Sequence, residues 1–122
     1  MAGYVTNIEQ ATLENDDYRR VLFTGPNMQL VLMTLQPGEE IGLETHDEHD
    51  QFIRVESGTG KVQLGGEEHD LSDGVSVVIP AGTRHNVVNT SSSEALRLYT
   101  LYSPPEHPDG TVHRTKADEP AH

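Results

Sequence analysis

The sequence predicts an all-β protein, a sandwich or a barrel, and three observations carry that expectation. Short apolar runs, several of them alternating with polar residues at a period of two, recur from Tyr18 to Tyr102. Gly, Pro, Asn and Asp clusters separate those runs at short intervals, which is turn chemistry. The chain has 122 residues and only 34% hydrophobic residues, enough for one domain with one small core. About eight short strands spaced by turns fit a sandwich or barrel, not a parallel sheet with crossover helices.

Residues 1–17 are polar and acidic, and read as an arm with one short helical turn. Tyr18–Thr24 reads as a strand closed by Gly25-Pro26. Met28–Gln36 is almost continuously apolar, and its length and the Pro37-Gly38 stop predict a strand buried on both faces. In Gln51–Glu56, Gln51, Ile53 and Val55 share one face, with Phe52, Arg54 and Glu56 on the other. Lys61–Leu64, Glu67–Leu71, Val75–Ile79, His85–Asn89 and Leu96–Tyr102 follow as short strands, with Gly65-Gly66 as a hairpin turn. The barrel thus spans 18–102, and 103–122 form a tail rich in Pro and polar residues. The dense stretch from Leu101 to His113 is stiff and partly extended. Covering a barrel mouth, clasping a second subunit and trailing as an ordinary loop are all open to it.

Composition excludes several roles. A net charge of −12 with eight Lys plus Arg leaves no basic footprint for nucleic acid or an anionic membrane. With no cysteine, disulfides and thiolate metal sites are impossible. Any metal must sit on imidazole, carboxylate or amide oxygen, which suits a divalent transition metal such as Zn, Mn, Fe or Ni. There is no apolar run of about 18 residues and no signal-peptide pattern, so a soluble cytoplasmic protein is the expectation. Phosphate-binding Gly-rich loops and the G-x-S-x-G elbow are missing from the sequence.

The most informative stretch is Gly74-Val-Ser-Val-Val-Ile-Pro80-Ala-Gly82-Thr-Arg-His85-Asn-Val-Val-Asn89. A strand, a Pro/Gly turn and a second strand opening on histidine fix where one imidazole points, as a metal ligand requires. Its pattern, G-x5-P-x-G-x2-H-x3-N, resembles the second signature motif of the cupin family in every fixed position. The first cupin motif, G-x5-H-x-H-x3or4-E-x6-G, keeps its frame between Gly38 and Gly58. Glu44 stands where the motif has its first histidine, and Gln51 where it has glutamate; His46 keeps its place. The chain resembles small single-domain cupins of an E-x-H…Q…H kind. That resemblance implies a double-stranded β-helix, or jelly-roll β-barrel, with Glu44, His46, Gln51 and His85 as metal ligands.

Strand geometry allows the same set. Glu44 and His46 lie at i and i+2 and share a face. A hairpin would return Gln51 opposite that pair, and His85 arrives from another strand. Two nitrogens, a carboxylate and an amide oxygen leave one or two positions open for water or substrate. His49, between His46 and Gln51, falls in the turn and is expected to face solvent. His69, His113 and His122 read as solvated, and Asn89 as satisfying turn backbone. Tyr99 and Tyr102 are three apart and cannot both face inward.

The resemblance implies a small-molecule ligand such as a sugar or sugar phosphate, handled by isomerase, epimerase, lyase or dioxygenase chemistry. The alternative is a cupin that binds a small ligand or a structural metal without turnover. Open sheet edges predict a homodimer, with Phe52 at the contact.

Overall fold

A computed structural model describes residues 2–120. Its elements are α1 (Ile8–Glu14), β1 (Arg19–Thr24), β2 (Gln29–Leu35), β3 (Asp50–Ser57), β4 (Gly60–Leu64), β5 (Glu67–Leu71), β6 (Ser76–Ile79), β7 (His85–Asn89), β8 (Leu96–Ser103) and β9 (Val112–His113). Every pairing is antiparallel. The larger sheet runs β6-β3-β8-β2-β1-β9 and the smaller β5-β4-β7. Isolated bridges Glu40↔Val88 and Glu44↔His85 lay the 40–44 segment along β7, as a further arm of the smaller sheet. This is the two-sheet jelly roll that the strand pattern predicts.

Alternation explains which residues fill it. In β8, Leu96, Leu98, Thr100 and Tyr102 are buried while Arg97, Tyr99 and Leu101 are only partly so. Tyr102 therefore faces in and Tyr99 out. Val31, Met33, Ile53 and Leu98 meet Val62 and Val87 across the two sheets. Truncating fully buried Leu98 to Ala would cost about 2–5 kcal/mol, the lost transfer energy plus a cavity. β2 is buried on both faces from Val31 to Leu35 because α1 packs on the outer side of β2, β3 and β8. Asn7 starts that helix by accepting a hydrogen bond from the amide of Gln10 at 3.0 Å.

Two glycines permit close approach. A Cβ at Gly58 would lie 2.4 Å from the carbonyl oxygen of Ala95, and its φ is +95°. One at Gly60 would lie 2.4 Å from that of Val88. Any side chain at either position would push apart the strands that close the barrel. Gly65 turns the β4–β5 hairpin at φ +57°, where a Cβ is disfavoured.

Candidate metal centre

Main-chain hydrogen bonds place the first two groups. Glu44 and His85 face each other as an antiparallel pair, each N–H donating to the other's carbonyl at 2.9 Å. The amide of Gly82, at φ +85°, donates to the carbonyl of His46 at 2.8 Å, so the Pro-Gly turn holds the adjacent ligand segment as well. Asp50 anchors the same turn by accepting from the amide of Ala81 at 2.9 Å. The His85 ring is buried and its Nδ1 lies 2.9 Å from the carbonyl of Thr83. That contact keeps the proton on Nδ1 and leaves the Nε2 lone pair for a ligand.

Glu44, His46 and His85 offer ligand atoms that all lie within 4.8 Å of one another. Nε2 of His46 is 2.7 Å from Oε2 of Glu44, an ion-pair contact when the ring is protonated. With the ring neutral, the two groups present lone pairs to one region, as ligands of a shared cation do. This donor set, with nitrogen and carboxylate oxygen, fits a divalent transition metal.

Charge in the cluster is balanced by contact. Burial opposes ionisation of Glu44, but proximity to His46 and the positive charges around it outweigh that, and its carboxyl sits below the usual value. Contact with Glu44, aided by Glu106 and opposed by burial, raises His46 above its usual value.

Gln51 reaches this region by a different route from the expected hairpin. The chain crosses between sheets at residues 47–49, so Gln51 sits in the larger sheet between Tyr102 and Ile79, while Glu44 lies against β7. Its amide nitrogen donates to Thr100 Oγ1 at 3.0 Å, and its buried Oε1 has no partner. Its cross-strand neighbour Tyr102 has its ring 6.1 Å from that of His46.

His49 does not face solvent. Its Nδ1 lies 2.8 Å from the carbonyl of Pro104 and its Nε2 lies 2.5 Å from Oε2 of Glu106. Both ring nitrogens are engaged, and neither is free for a metal. His69 is exposed beside Glu67, as expected. His113 is half-buried instead, with Nδ1 3.2 Å from the guanidinium of Arg19, because β9 pairs with β1. His122 lies outside the described residues. Asn89 satisfies backbone at Leu35, Glu94 and Ser91.

The groups that sequence reasoning missed come from β1 and the C-terminal segment. A cavity of about 330 Å³ opens beside the triad, lined by Arg19, Leu43, Thr45, Glu106, His107 and Glu119 together with Glu44 and His46. Arg19 is buried and pairs with Glu119 at 2.6 Å. His107 stacks edge-on to Tyr102 at 5.3 Å, and burial, with Arg19 nearby, lowers its pKa to about 4. A charged residue opening an apolar strand gives no sign of burial. Glu106 and His107, set between Pro105 and Pro108, gave the one available signal.

The cupin domain model matches residues 31–102, more than half of the chain. The chain is a cupin. This cupin is 48% identical over 121 residues to the uncharacterized protein YrkC of Bacillus subtilis, covering 94% of the chain and 64% of YrkC. It is 47% identical over 112 residues to the uncharacterized protein L612 of Acanthamoeba polyphaga mimivirus, covering 89% of the chain and 70% of L612. The crystal structure of BH2720 from Bacillus halodurans superimposes on the cupin with a TM-score of 0.92 at 49% identity, covering 94% of this chain and 91% of that one.

Proposed function

We propose that this cupin holds one divalent transition metal on Glu44, His46 and His85, with Gln51 as a fourth group, and acts on a polar small molecule in the adjoining cavity. The observation that supports this most is the triad itself: three ligand groups converge within 4.8 Å, and two of them, Glu44 and His46, line a cavity of about 330 Å³. Among metals, Zn, Mn, Fe and Ni all accept such a set. When bound, the metal supplies a Lewis acid that polarises a carbonyl or hydroxyl oxygen, or activates water or dioxygen.

The chain's own residues do the rest. Glu44, Glu106 and Glu119 give the cavity carboxylate acceptors, which suit the hydroxyl donors of a sugar. Arg19 sets a buried cation at the same wall, paired with Glu119, and a phosphate or carboxylate on the ligand would reach it by displacing that carboxylate. Glu106 and His107 of the C-terminal segment form one side of the cavity, with the buried Tyr102 ring behind His107. The cavity's acceptors suit a sugar or sugar phosphate, and the cupin resemblance implies isomerase, epimerase, lyase or dioxygenase chemistry on it.

Elemental analysis of the purified protein, then ligand screening of the metal-loaded form by saturation-transfer NMR with sugars and sugar phosphates, tests this reading. One metal per chain and saturable sugar binding that disappears in His85→Ala are expected. A shell closed by four protein groups with no ligand binding would make the metal structural and the reading wrong.

The outer face of the larger sheet supports a homodimer. Val78, Phe52, Leu101, Leu30 and Phe23 are successive cross-strand neighbours and form one apolar row across five strands. Val78 is 66% exposed at its open edge, and the Tyr4 ring caps the other end, 5.5 Å from Phe23. A second copy of the row would cover it. Light scattering should give a dimeric mass that Phe52→Glu halves; a monomer across micromolar concentrations rejects it.

A further inference from the structure

The C-terminal segment is held far more firmly than a trailing loop needs. Gln29 on β2 is fully buried, and its whole amide serves residues 106 and 107 apart from one bond to Thr24. Its Oε1 accepts from the amides of Glu106 at 3.1 Å and His107 at 3.0 Å, and its Nε2 donates to the carbonyl of His107 at 2.7 Å. Further along, β9 pairs with β1, Glu119 pairs with Arg19, and Lys116 Nζ donates to the carbonyl of Glu40.

This strap delivers one carboxylate to the site. Oε2 of Glu106 lies 3.6 Å from Nδ1 of His46 and 2.5 Å from Nε2 of His49. His46 therefore presents Nε2 towards Glu44 and Nδ1 towards a second carboxylate. His49 in turn is tethered to the strap at the Pro104 carbonyl. A metal-ligating histidine gains orientation and basicity from a carboxylate at its far nitrogen.

We infer that the strap is a working part of the metal centre, in which Glu106 is the positioning residue for the His46 ring and His49 holds Glu106 rather than the metal. This rests on the reading of Glu44, His46 and His85 as ligands. It also accounts for why two histidines three apart differ in role: His46 turns Nε2 towards Glu44 in the triad, whereas both nitrogens of His49 are held by the strap.

The test is calorimetric titration of the metal-free protein with Zn²⁺, and with Co²⁺ for its visible spectrum. Glu106→Ala should weaken binding about 10–100-fold, leave the melting temperature of the metal-free protein unchanged, and leave the Co²⁺ bands in place. Glu106→Asp, which keeps the charge, should bind more tightly than Glu106→Gln, which keeps the shape; a purely structural strap would give the reverse order. Glu106→Gln also serves if the alanine variant fails to fold. His49→Ala should weaken binding, but should add nothing in the Glu106→Ala background, because it acts through Glu106. Wild-type affinity in Glu106→Ala, altered Co²⁺ bands, or an added loss from His49→Ala in the double variant would each overturn the inference. A wild-type protein that binds neither metal would instead sink the ligand reading, and the strap's role with it.

Discussion

Beneath α1, Asn15 and Thr34 use their buried polar atoms on each other. Thr34 Oγ1 donates to the Asn15 carbonyl at 2.7 Å and accepts from Asn15 Nδ2 at 3.0 Å, and Asn15 also bonds the backbone of Asp17 at both ends of its amide. Around His46 the opposite holds. Tyr18 Oη, Arg19 Nε, His46 Nε2, Gln51 Oε1 and His107 Nε2 are buried without a hydrogen-bond partner. Each such group costs about 1–3 kcal/mol, and a folded domain carries few of them. One cluster closes on itself. The other leaves several buried polar atoms without a partner within the protein.

Removing a ligand from the incomplete cluster should have the largest effect. His85→Ala should take metal binding below detection by calorimetry, while the metal-free protein, which loses a buried ring and its bond to Thr83, melts somewhat lower but still cooperatively. Retained wild-type affinity would erase the distinction between the clusters.

Asn15→Ala should show the reverse. It removes the amide donor to Thr34 Oγ1 and both amide bonds to the Asp17 backbone, and should cost about 1–3 kcal/mol in urea denaturation, with metal affinity untouched. A weakened metal site in that variant would mean that the two clusters are coupled.

Gln51→Leu sharpens the contrast further. It removes an orphaned oxygen but also the donor to buried Thr100 Oγ1, so the metal-free protein should lose about 1–3 kcal/mol, while metal affinity falls. Unchanged metal affinity would place Gln51 with Asn15 as a structural amide.

Acidity should separate the site's own histidines. His46 binds its proton more tightly in the folded protein, through Glu44 and Glu106, so it stabilises the metal-free form below its ordinary value of 6.5 and ceases to as pH rises through the raised folded value. Metal needs the neutral ring, so protons displace it as pH falls. Added Zn or Mn should raise the melting temperature at pH 7.5 and do little near pH 5. His107 acts in the other direction: with a folded value of about 4 against 6.5, it erodes stability as pH drops through that window. Replacing His107 by Gln should flatten the acid side of the metal-free stability curve, measured by thermal melts. An equal metal-induced shift at both pH values would assign the ion to exposed carboxylates instead.

The strands were legible because period-two burial writes itself into β3 and β8 residue by residue. His85 was legible because its Pro-Gly turn is local. His46 and Glu44 were legible at i and i+2 on one short segment. Gln51 was placed on the right face but against the wrong neighbour, since a hairpin and a crossing between sheets use equally short connections. Glu106 was out of reach. Its approach to His46 depends on Gln29, 77 residues earlier, holding its backbone amide. No local pattern encodes a contact over that separation, and the Pro-rich setting left strap, clasp and loop open.

The paired amides of Glu44 and His85 have an evolutionary consequence. The distance between these two positions is set by the main chain, which any residue can supply. The side chain at 44 is thus free to vary without moving the frame that presents it. Glu44→His, which restores the histidine of the usual cupin motif, should fold unchanged and shift the preference among metals towards those that favour nitrogen. A backbone ladder that fixes spacing while leaving side-chain chemistry open would let one scaffold change its metal preference by a single substitution.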